Sequence, residues 1–163
     1  MEILRKPGRL PSLPMGEIAV SQTSGSLRTL LGSCLGLALY EQKLKLGALA
    51  HIVLPASLGR TDPPGKFADT AVPAMIGRMR KLVDNRPVRL QAKLAGGANM
   101  FAAAGAVNTV GSQNVSAIER ILKELGIPVV ARHCGGEQGR KMTFDLATGL
   151  VTIEIVGAEI ITL

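Results

Sequence analysis

Aromatic side chains are scarce in this 163-residue chain, which has no Trp, one Tyr and three Phe. Hydrophobic residues nevertheless make up 47% of the sequence, so the core must be built from aliphatic side chains and Met. Proteins that bind single-stranded nucleic acid commonly stack bases on aromatic rings, and they concentrate Lys and Arg along one surface. The chain has neither feature, so we expect no specific nucleic-acid site despite a net charge of +7.

Cysteine is also rare. The two cysteines, Cys34 and Cys134, lie far apart in the sequence and belong to no CxxC motif. This spacing indicates neither a disulfide framework nor a zinc site, and it suits a reduced, cytoplasmic setting. We therefore expect no metal ion, and nothing in the sequence indicates another cofactor.

Long apolar runs are absent as well. No stretch approaches the roughly 20 apolar residues that a membrane-spanning helix needs. The first 20 residues lack the continuous apolar core of a signal peptide. We expect a cytoplasmic protein without membrane insertion, whose basic charge suits an acidic protein partner or substrate.

The length favours one domain over residues 1–163, with enough chain for a substantial core. Three prolines within residues 1–15 indicate an irregular lead-in. Strands are predicted at 16–22, 35–41, 46–54, 88–94 and 127–132, with a closing hairpin of 141–146 and 150–156. Helices are predicted at 71–83, capped by Asp69, and at 115–125, capped by Asn114 or Ser116. The order predicts an α/β (α+β) sandwich with helices covering a mixed sheet.

The stretch from Leu27 to Pro55 contains the best candidates for catalysis. Cys34 lies in a Gly-Ser-Cys-Leu-Gly turn that can present a thiol, and His51 lies within an otherwise apolar run. Burying a lone imidazole among aliphatic side chains is costly unless it has a hydrogen-bond partner. A hairpin could return His51 to the side of Cys34, where it could accept the proton of the thiol. The alternative is that Cys34 is a small core residue and that His51 is a core histidine bound to a backbone carbonyl.

A histidine that acts as a base needs a third group to orient its second ring nitrogen. Three residues in this neighbourhood could do so: Thr29, Ser33 and Asp62. The backbone amides at Ser33 and Cys34, beside Gly32, are the natural donors for an oxyanion.

Two further motifs carry weaker signals. His133 and Cys134 are neighbours on a predicted strand edge, so their side chains should point to opposite faces and make a poor catalytic couple. The segment Gly96–Phe101 could bind an anion before a short Ala-rich helical piece, but it lacks the pattern of a nucleotide-binding loop.

Several motifs, taken in order, resemble the CheD family of chemoreceptor glutamine deamidases. They are LLGSCLGLALYE, GALAHIVLP, GRTDPPGKFADTAV, AKLAGGANMF and a late CGG. The resemblance runs from about Gly16 to about Val156, nearly the whole chain. It implies a three-layer fold similar to the catalytic domain of cytotoxic necrotizing factor toxins.

The resemblance also implies an activity and its residues. The activity is hydrolysis of glutamine side-chain amides on methyl-accepting chemotaxis receptors, giving glutamate and ammonia through a cysteine thioester. The family's nucleophile falls on Cys34 and its histidine on His51. Its threonine falls on Thr29, five residues before Cys34, although some members have it at the position of Arg28. Ser33 and Gly32 then support the oxyanion site, and no cofactor is needed.

Two other functions stay open at this point. The chain could be a non-catalytic chemotaxis adaptor that binds receptors or a CheC-type phosphatase, a partner that the family has in several bacteria. It could also be a thiol amidase for small molecules. The effect of replacing Cys34 and the size of the substrate would separate these alternatives from a receptor deamidase.

Overall fold

A computed structural model describes residues 12–60, 62–101, 103 and 105–163. Within those ranges it contains nine strands, two α-helices and a short 3-10 turn at Pro64–Lys66. In chain order the strands and helices are β1 (Ile18–Gln22), β2 (Ser26–Leu31), β3 (Leu35–Glu41), β4 (Leu46–Ile52), α1 (Ala68–Leu82), β5 (Gln91–Gly96), α2 (Val110–Glu124), β6 (Val129–Cys134), β7 (Arg140–Asp145), β8 (Val151–Glu154) and β9 (Ile161–Thr162).

A five-stranded sheet forms the middle of the molecule, with strand order β1-β4-β3-β5-β6. Its pairs are antiparallel except for β5 and β6, which run parallel, so the predicted mixed sheet is confirmed. Every residue of β3 and β4 is buried. These strands therefore read as nearly continuous apolar runs, which is typical of strands covered on both faces.

A second, four-stranded antiparallel sheet has the order β2-β7-β8-β9. The β7–β8 hairpin was predicted, but the pattern assigned no strand to β2. In β2 the inward positions are Thr29 and Leu31, whereas Leu30 faces outward and is exposed. A polar residue inside and an apolar residue outside conceal the alternation that normally marks a half-buried strand.

Two separate cores share the middle sheet. Both helices pack on one face of it through an aliphatic and Met cluster, and the four-stranded sheet packs on the other face. The α+β class is therefore confirmed, and the chain forms three layers. Helices were predicted to cover the mixed sheet; they cover one face of it, and a second sheet, which was not predicted, covers the other. Residues at the centre of the two cores include Leu37, Leu39, Met75 and Ile118 on the helix side, and Leu49, Met142 and Phe144 between the sheets.

Both predicted helix caps differ from the structure. α1 begins at Ala68, and Asp69 accepts hydrogen bonds from the amide and hydroxyl of Ser57 instead of capping the helix. α2 begins at Val110, and its cap is Thr109, whose hydroxyl oxygen accepts from the amide of Ser112. Asn114 is therefore an interior residue of α2, and so is Ser116.

The predicted lead-in is only partly open to comparison, because residues 1–11 lie outside the described ranges. Leu13 is buried and its amide donates to the carbonyl of Arg28, so this part of the lead-in packs along β2. The predicted Ala-rich helical piece is wrong for residues 97–101, which are not helical, whereas residues 102 and 104 lie outside the description. None of the described helices combines the length and apolar character needed to cross a membrane.

Candidate active site

Cys34 lies where the chain passes from one sheet to the other. β2 ends at Leu31 in the four-stranded sheet, and β3 begins at Leu35 in the middle sheet. The segment Gly32–Cys34, which we call the nucleophile loop, makes this crossing. The Cys34 side chain belongs to the core between the sheets, but 9% of the residue remains exposed. Cys34 is thus a nearly buried residue at the rim of a core.

Hydrogen bonds hold all three carbonyl groups of the nucleophile loop. The oxygen of Gly32 accepts from the amide of Ala98, and that of Cys34 accepts from the amide of Gly97, both at 2.9 Å. The oxygen of Ser33 accepts from the side-chain amide of Asn114 at 3.3 Å. Two amides of the Gly96–Phe101 segment therefore bind the loop, and the amide of Asn99 donates to the carbonyl of Gly136, so these three amides are not available to an anion.

The amides of the same loop are in a different situation. Across the described ranges, no acceptor is assigned to the backbone N–H groups of Ser33 or Cys34. Two neighbouring free amides beside a thiol are the usual donors for the oxygen of a tetrahedral intermediate. The geometry is therefore compatible with the predicted oxyanion site at Gly32 and Ser33.

His51 lies on β4 beside the nucleophile loop, as the predicted hairpin requires. In the β3–β4 pairing, Gly36 is directly opposite His51, and Cys34 precedes Gly36 by two residues. Leu49 faces the space between the sheets, so His51, two residues further along, faces the same space as Cys34. Cys34 and His51 are thus diagonal neighbours on one face, an arrangement with Cα atoms about 7–8 Å apart. An imidazole and a thiol can meet across that separation.

Hydrogen bonds to the two residues that precede β1 hold the backbone of His51. Its amide donates to the carbonyl of Glu17, and its carbonyl accepts from the amide of Gly16. On the β3 side, a Cβ at Gly36 would lie 2.5 Å from Met142 Sδ and 2.9 Å from a methyl group of Leu31, so the glycine lets these two side chains approach the strand. The second sheet therefore packs directly against the strand pair that carries the site.

Thr29 binds the ring of His51 from the opposite sheet. Its Oγ1 lies 2.7 Å from His51 Nδ1 and 2.8 Å from the carbonyl oxygen of Leu13. A carbonyl can only accept, so the single hydroxyl proton goes to Leu13, and Oγ1 accepts the Nδ1–H of His51. This assignment leaves Nε2 of the neutral ring with a free lone pair. The imidazole is thereby held in the tautomer that a base toward Cys34 requires.

Burial sets the resting charge of the pair. Desolvation raises the pKa of the Cys34 thiol. Desolvation also lowers the pKa of His51, and the nearby carbonyl of Leu13 opposes this effect only in part. Both shifts favour the uncharged forms, because a low-dielectric environment penalises charge. The direction of both shifts favours a thiol beside a neutral imidazole over a thiolate–imidazolium ion pair.

Of the three predicted orienting groups, Thr29 is the one in contact with the ring. It accepts the hydrogen bond from His51 Nδ1, and neither Ser33 nor Asp62 makes a described side-chain bond to the ring. Two participants were missed by the sequence patterns. The carbonyl of Leu13 was missed because a backbone group leaves no sequence signature. Asn114 was misread as a helix cap because its spacing from the apolar residues of α2 suits either role.

His133 and Cys134 do not form a catalytic couple. Arg140 donates to Nδ1 of His133 at 2.8 Å and to the His133 carbonyl at 2.7 Å, whereas Cys134 packs into the core on the helix side. Burial raises the pKa of Cys134 to about 11. The prediction that the two side chains face opposite ways is confirmed. Within the described ranges, no group of three or more His, Cys, Asp or Glu side chains could hold a metal ion.

An open groove of about 830 Å³ borders the nucleophile loop at Gly32. Its walls come from one end of the four-stranded sheet and from Met100, and Lys141 and Glu154 form an ion pair of 2.9 Å along it. Leu30 and Val156 lie on this groove and are 60% and 100% exposed. The groove thus presents exposed apolar side chains, beside charged ones, next to the nucleophile loop at Gly32.

Comparisons with known proteins agree on one family. A sequence profile of the family described as "CheD chemotactic sensory transduction" matches residues 53–155. The chain is 40% identical over 144 residues to "Chemoreceptor glutamine deamidase CheD" of Thermotoga maritima, covering 88% of this chain and 90% of that protein. A match of that extent necessarily includes the segment that carries Thr29, Cys34 and His51.

Two further relatives show similar agreement. The chain is 45% identical over 140 residues to "Probable chemoreceptor glutamine deamidase CheD" of Methanococcus vannielii, covering 85% of this chain and 90% of that protein. It is 41% identical over 151 residues to a protein of the same name from Desulforamulus reducens, covering 90% of each. The similarity thus reaches both archaeal and bacterial proteins.

Gly96 provides a direct test of how tightly the nucleophile loop is held. A Cβ at Gly96 would lie 2.3 Å from the carbonyl oxygen of Cys34, and the residue has φ +104°. We expect Gly96→Ala to destabilise the fold by about 1–3 kcal/mol more than Gly59→Ala, because the added methyl group must displace the loop. Chemical denaturation of the two variants measures the difference.

Gly59 is the matched control, since it has φ +87° but open space where a Cβ would lie. Both substitutions carry the strain of a positive φ, so their difference isolates the contact with Cys34. Equal losses of stability would contradict the view that the loop is confined by its neighbours.

Proposed function

The chain belongs to the CheD family, and on that premise we propose that it deamidates glutamine side chains of methyl-accepting chemotaxis receptors. The observation that carries the proposal is the arrangement of Thr29, His51 and Cys34 between the two sheets. A hydroxyl holds one ring nitrogen of the histidine, the other ring nitrogen is free, and the thiol is its neighbour on the same face. This order of nucleophile, base and orienting group is the pattern of a thiol hydrolase.

The first half of the reaction forms a thioester. His51 Nε2 accepts the proton of the Cys34 thiol while the sulfur attacks the carboxamide carbon of the substrate glutamine. The carbonyl oxygen becomes an oxyanion, which the free amides of Ser33 and Cys34 stabilise. The intermediate collapses when the C–N bond breaks and His51 gives its proton to the departing ammonia.

The second half regenerates the enzyme. His51 accepts a proton from water as the water oxygen attacks the thioester carbon. The C–S bond breaks, the thiol recovers its proton from His51, and the substrate leaves as glutamate. Because the resting pair is uncharged, the proton moves during the attack and no ion pair exists beforehand.

The groove beside Gly32 is the proposed contact surface for the receptor helix. Its exposed apolar side chains adjoin the nucleophile loop, so a helix lying there could present a glutamine to Cys34. The net charge of +7 would attract an acidic receptor surface before contact. A CheC-type phosphatase as a second partner stays a prediction of the resemblance.

The remaining expectations also rest on the family. Two cores that share one sheet support a single deamidase domain over residues 1–163. The three layers suit the likeness to the catalytic domain of cytotoxic necrotizing factor toxins, and the reduced thiols Cys34 and Cys134 suit a cytoplasmic protein.

The first experiment is intact-mass spectrometry of a chemoreceptor cytoplasmic fragment incubated with the protein. We expect a gain of about one mass unit per modified glutamine, because hydrolysis replaces NH₂ by OH. Cys34→Ala and His51→Ala should abolish the gain, since the first lacks the nucleophile and the second lacks the base. Cys134→Ala should retain it, because this thiol faces the other core.

Each result has a definite meaning. A mass gain that survives Cys34→Ala would rule out the thioester mechanism. Receptor binding without any mass gain would favour the adaptor function. Equal turnover of free glutamine amides and receptor glutamines would favour a small-molecule amidase.

Removing the hydroxyl group of Thr29 tests whether it orients the imidazole of His51. We expect Thr29→Val to lower kcat by about 10²-fold, because the imidazole loses its fixed tautomer. This is less than the roughly 10⁴-fold that follows mutation of the charged group in a serine protease triad. Thr29→Ser keeps the hydroxyl and should keep most of the activity. Steady-state assays of ammonia release measure both variants.

The same assays across pH test the state of His51. Because burial lowers the pKa of His51, kcat/KM should stay high at pH 6.5 and fall only at lower pH, where the ring becomes protonated. An acid limb centred above pH 6.5 would contradict a lowered pKa of His51. Equal activity of the Thr29→Val and Thr29→Ser variants would contradict the role of the Thr29 hydroxyl.

Leu30 tests the groove. We expect Leu30→Glu to raise KM for a receptor fragment roughly tenfold, because a buried Leu contributes about 1.5–3 kcal/mol to an interface. Turnover of a small blocked glutamine peptide should change little, since it cannot reach along the groove. Leu150→Glu is the control, as this exposed Leu lies at the opposite end of the same sheet. Equal effects of the two substitutions would place receptor binding elsewhere.

A further inference from the structure

Asn114 is a fully buried polar residue in the interior of α2. Asparagine is mostly found on protein surfaces, so complete burial calls for a reason beyond helix formation. Its side chain donates to the carbonyl oxygen of Val53 at 3.0 Å and to that of Ser33 at 3.3 Å. Since both neighbours are carbonyl oxygens, only the NH₂ end of the carboxamide can face them.

These two contacts join the segments that carry the reacting groups. Ser33 precedes Cys34, and Val53 follows His51 by two residues. Asn114 reaches both from the helix layer, whereas Thr29 reaches His51 from the four-stranded sheet. The site in the middle sheet is therefore held from both outer layers.

The contact with Ser33 also fixes a peptide plane. In a trans peptide the C=O of one residue and the N–H of the next point in opposite directions within one rigid plane. A Ser33 carbonyl held toward α2 therefore directs the Cys34 N–H away from α2. That is the side where the space between the two sheets contains the Cys34 and His51 side chains.

We propose that Asn114 is a positioning residue that orients the Ser33–Cys34 peptide so that the Cys34 N–H can stabilise the oxyanion. This inference rests on the proposed function for its reaction, but its role can be measured without a receptor. The other two loop carbonyls are held by backbone amides of Gly97 and Ala98. Only the peptide that contains the Cys34 amide depends on a side chain, and a substitution can remove that side chain alone.

The environment of the carboxamide oxygen of Asn114, Oδ1, supports a positioning role. In the described structure Asn114 Oδ1 is buried and has no hydrogen-bond partner. A buried acceptor without a donor weakens a fold, and most buried polar atoms in proteins are paired. The residue thus supplies two hydrogen bonds to the active-site segments while its own acceptor stays unsatisfied.

Two reagents separate orientation of the oxyanion donor from simple access to the thiol. Iodoacetamide reacts when the Cys34 sulfur attacks its CH₂ carbon and iodide leaves, so no carbonyl oxyanion forms. p-Nitrophenyl acetate reacts when the sulfur attacks the acyl carbon through an oxyanion, p-nitrophenolate leaves and a thioester forms. In both reactions His51 accepts the thiol proton. Cys34→Ala gives the background, including any reaction of Cys134.

For Asn114→Leu we expect an alkylation rate within about twofold of the unmodified protein and an acylation rate lowered about 10- to 100-fold. Loss of one oxyanion-hole donor typically lowers kcat by 10²–10³, and the amide of Ser33 remains in place. Gln113→Leu, an exposed neighbour on the same helix, should leave both rates unchanged. Asn114→Ala provides a second, smaller substitution in case Leu cannot fold in this position.

Two results would overturn the proposal. A parallel fall of both rates would show that Asn114 supports the thiol or the fold in general. Unchanged acylation in a folded variant would show that the Cys34 amide needs no such support. If the unmodified protein acylates normally but does not modify receptors, the proposed substrate fails, and the two rates of the Asn114 variant still decide the role of Asn114.

Discussion

The crossing between the two sheets is the constraint on which the site depends. Packed sheets lie about 10 Å apart, and each extended residue spans at most about 3.3–3.6 Å, so the three-residue nucleophile loop has little slack. Its carbonyls are held by the end of β5 and by α2, which leaves its amides free beside Cys34. A short, anchored connection thus places a thiol at the edge of a core, beside two backbone amides to which no acceptor is assigned in the described ranges.

Layered packing also explains the electrostatics. Burial in the core between the sheets raises the pKa of Cys34 and lowers the pKa of His51, and the carbonyl of Leu13 partly offsets the effect on the ring. The hydrogen bond to Thr29 holds the His51 ring in one orientation without adding a charge, so the imidazole keeps its tautomer and does not become a fixed cation. In the proposed reaction, such a site would activate its thiol at the moment of attack, when a substrate carbonyl has displaced water.

Much of the architecture could be predicted from the sequence because buried strands appear in it as runs of apolar residues. The apolar runs of β3 and β4, their separation by a polar turn and the lone His51 among aliphatic residues together predicted the hairpin. Strand β2 could not be predicted because its residues do not alternate in the usual way. The buried Thr29 is polar, and the exposed Leu30 beside the groove is apolar. The residues that serve the site are the ones that disturb the pattern of the fold.

The sequence by itself determined the mixed helices and strands, the pairing of Cys34 with His51, and the family to which the chain belongs. These depend on local order, on the spacing of apolar residues and on motifs that are contiguous in the chain. Only the tertiary structure decided that Thr29, and not Ser33 or Asp62, is hydrogen-bonded to the His51 ring, and that Leu13 and Asn114 contact the segments around it. Those contacts join three different layers through single hydrogen bonds, and a hydrogen bond between distant segments leaves no period or spacing in a sequence.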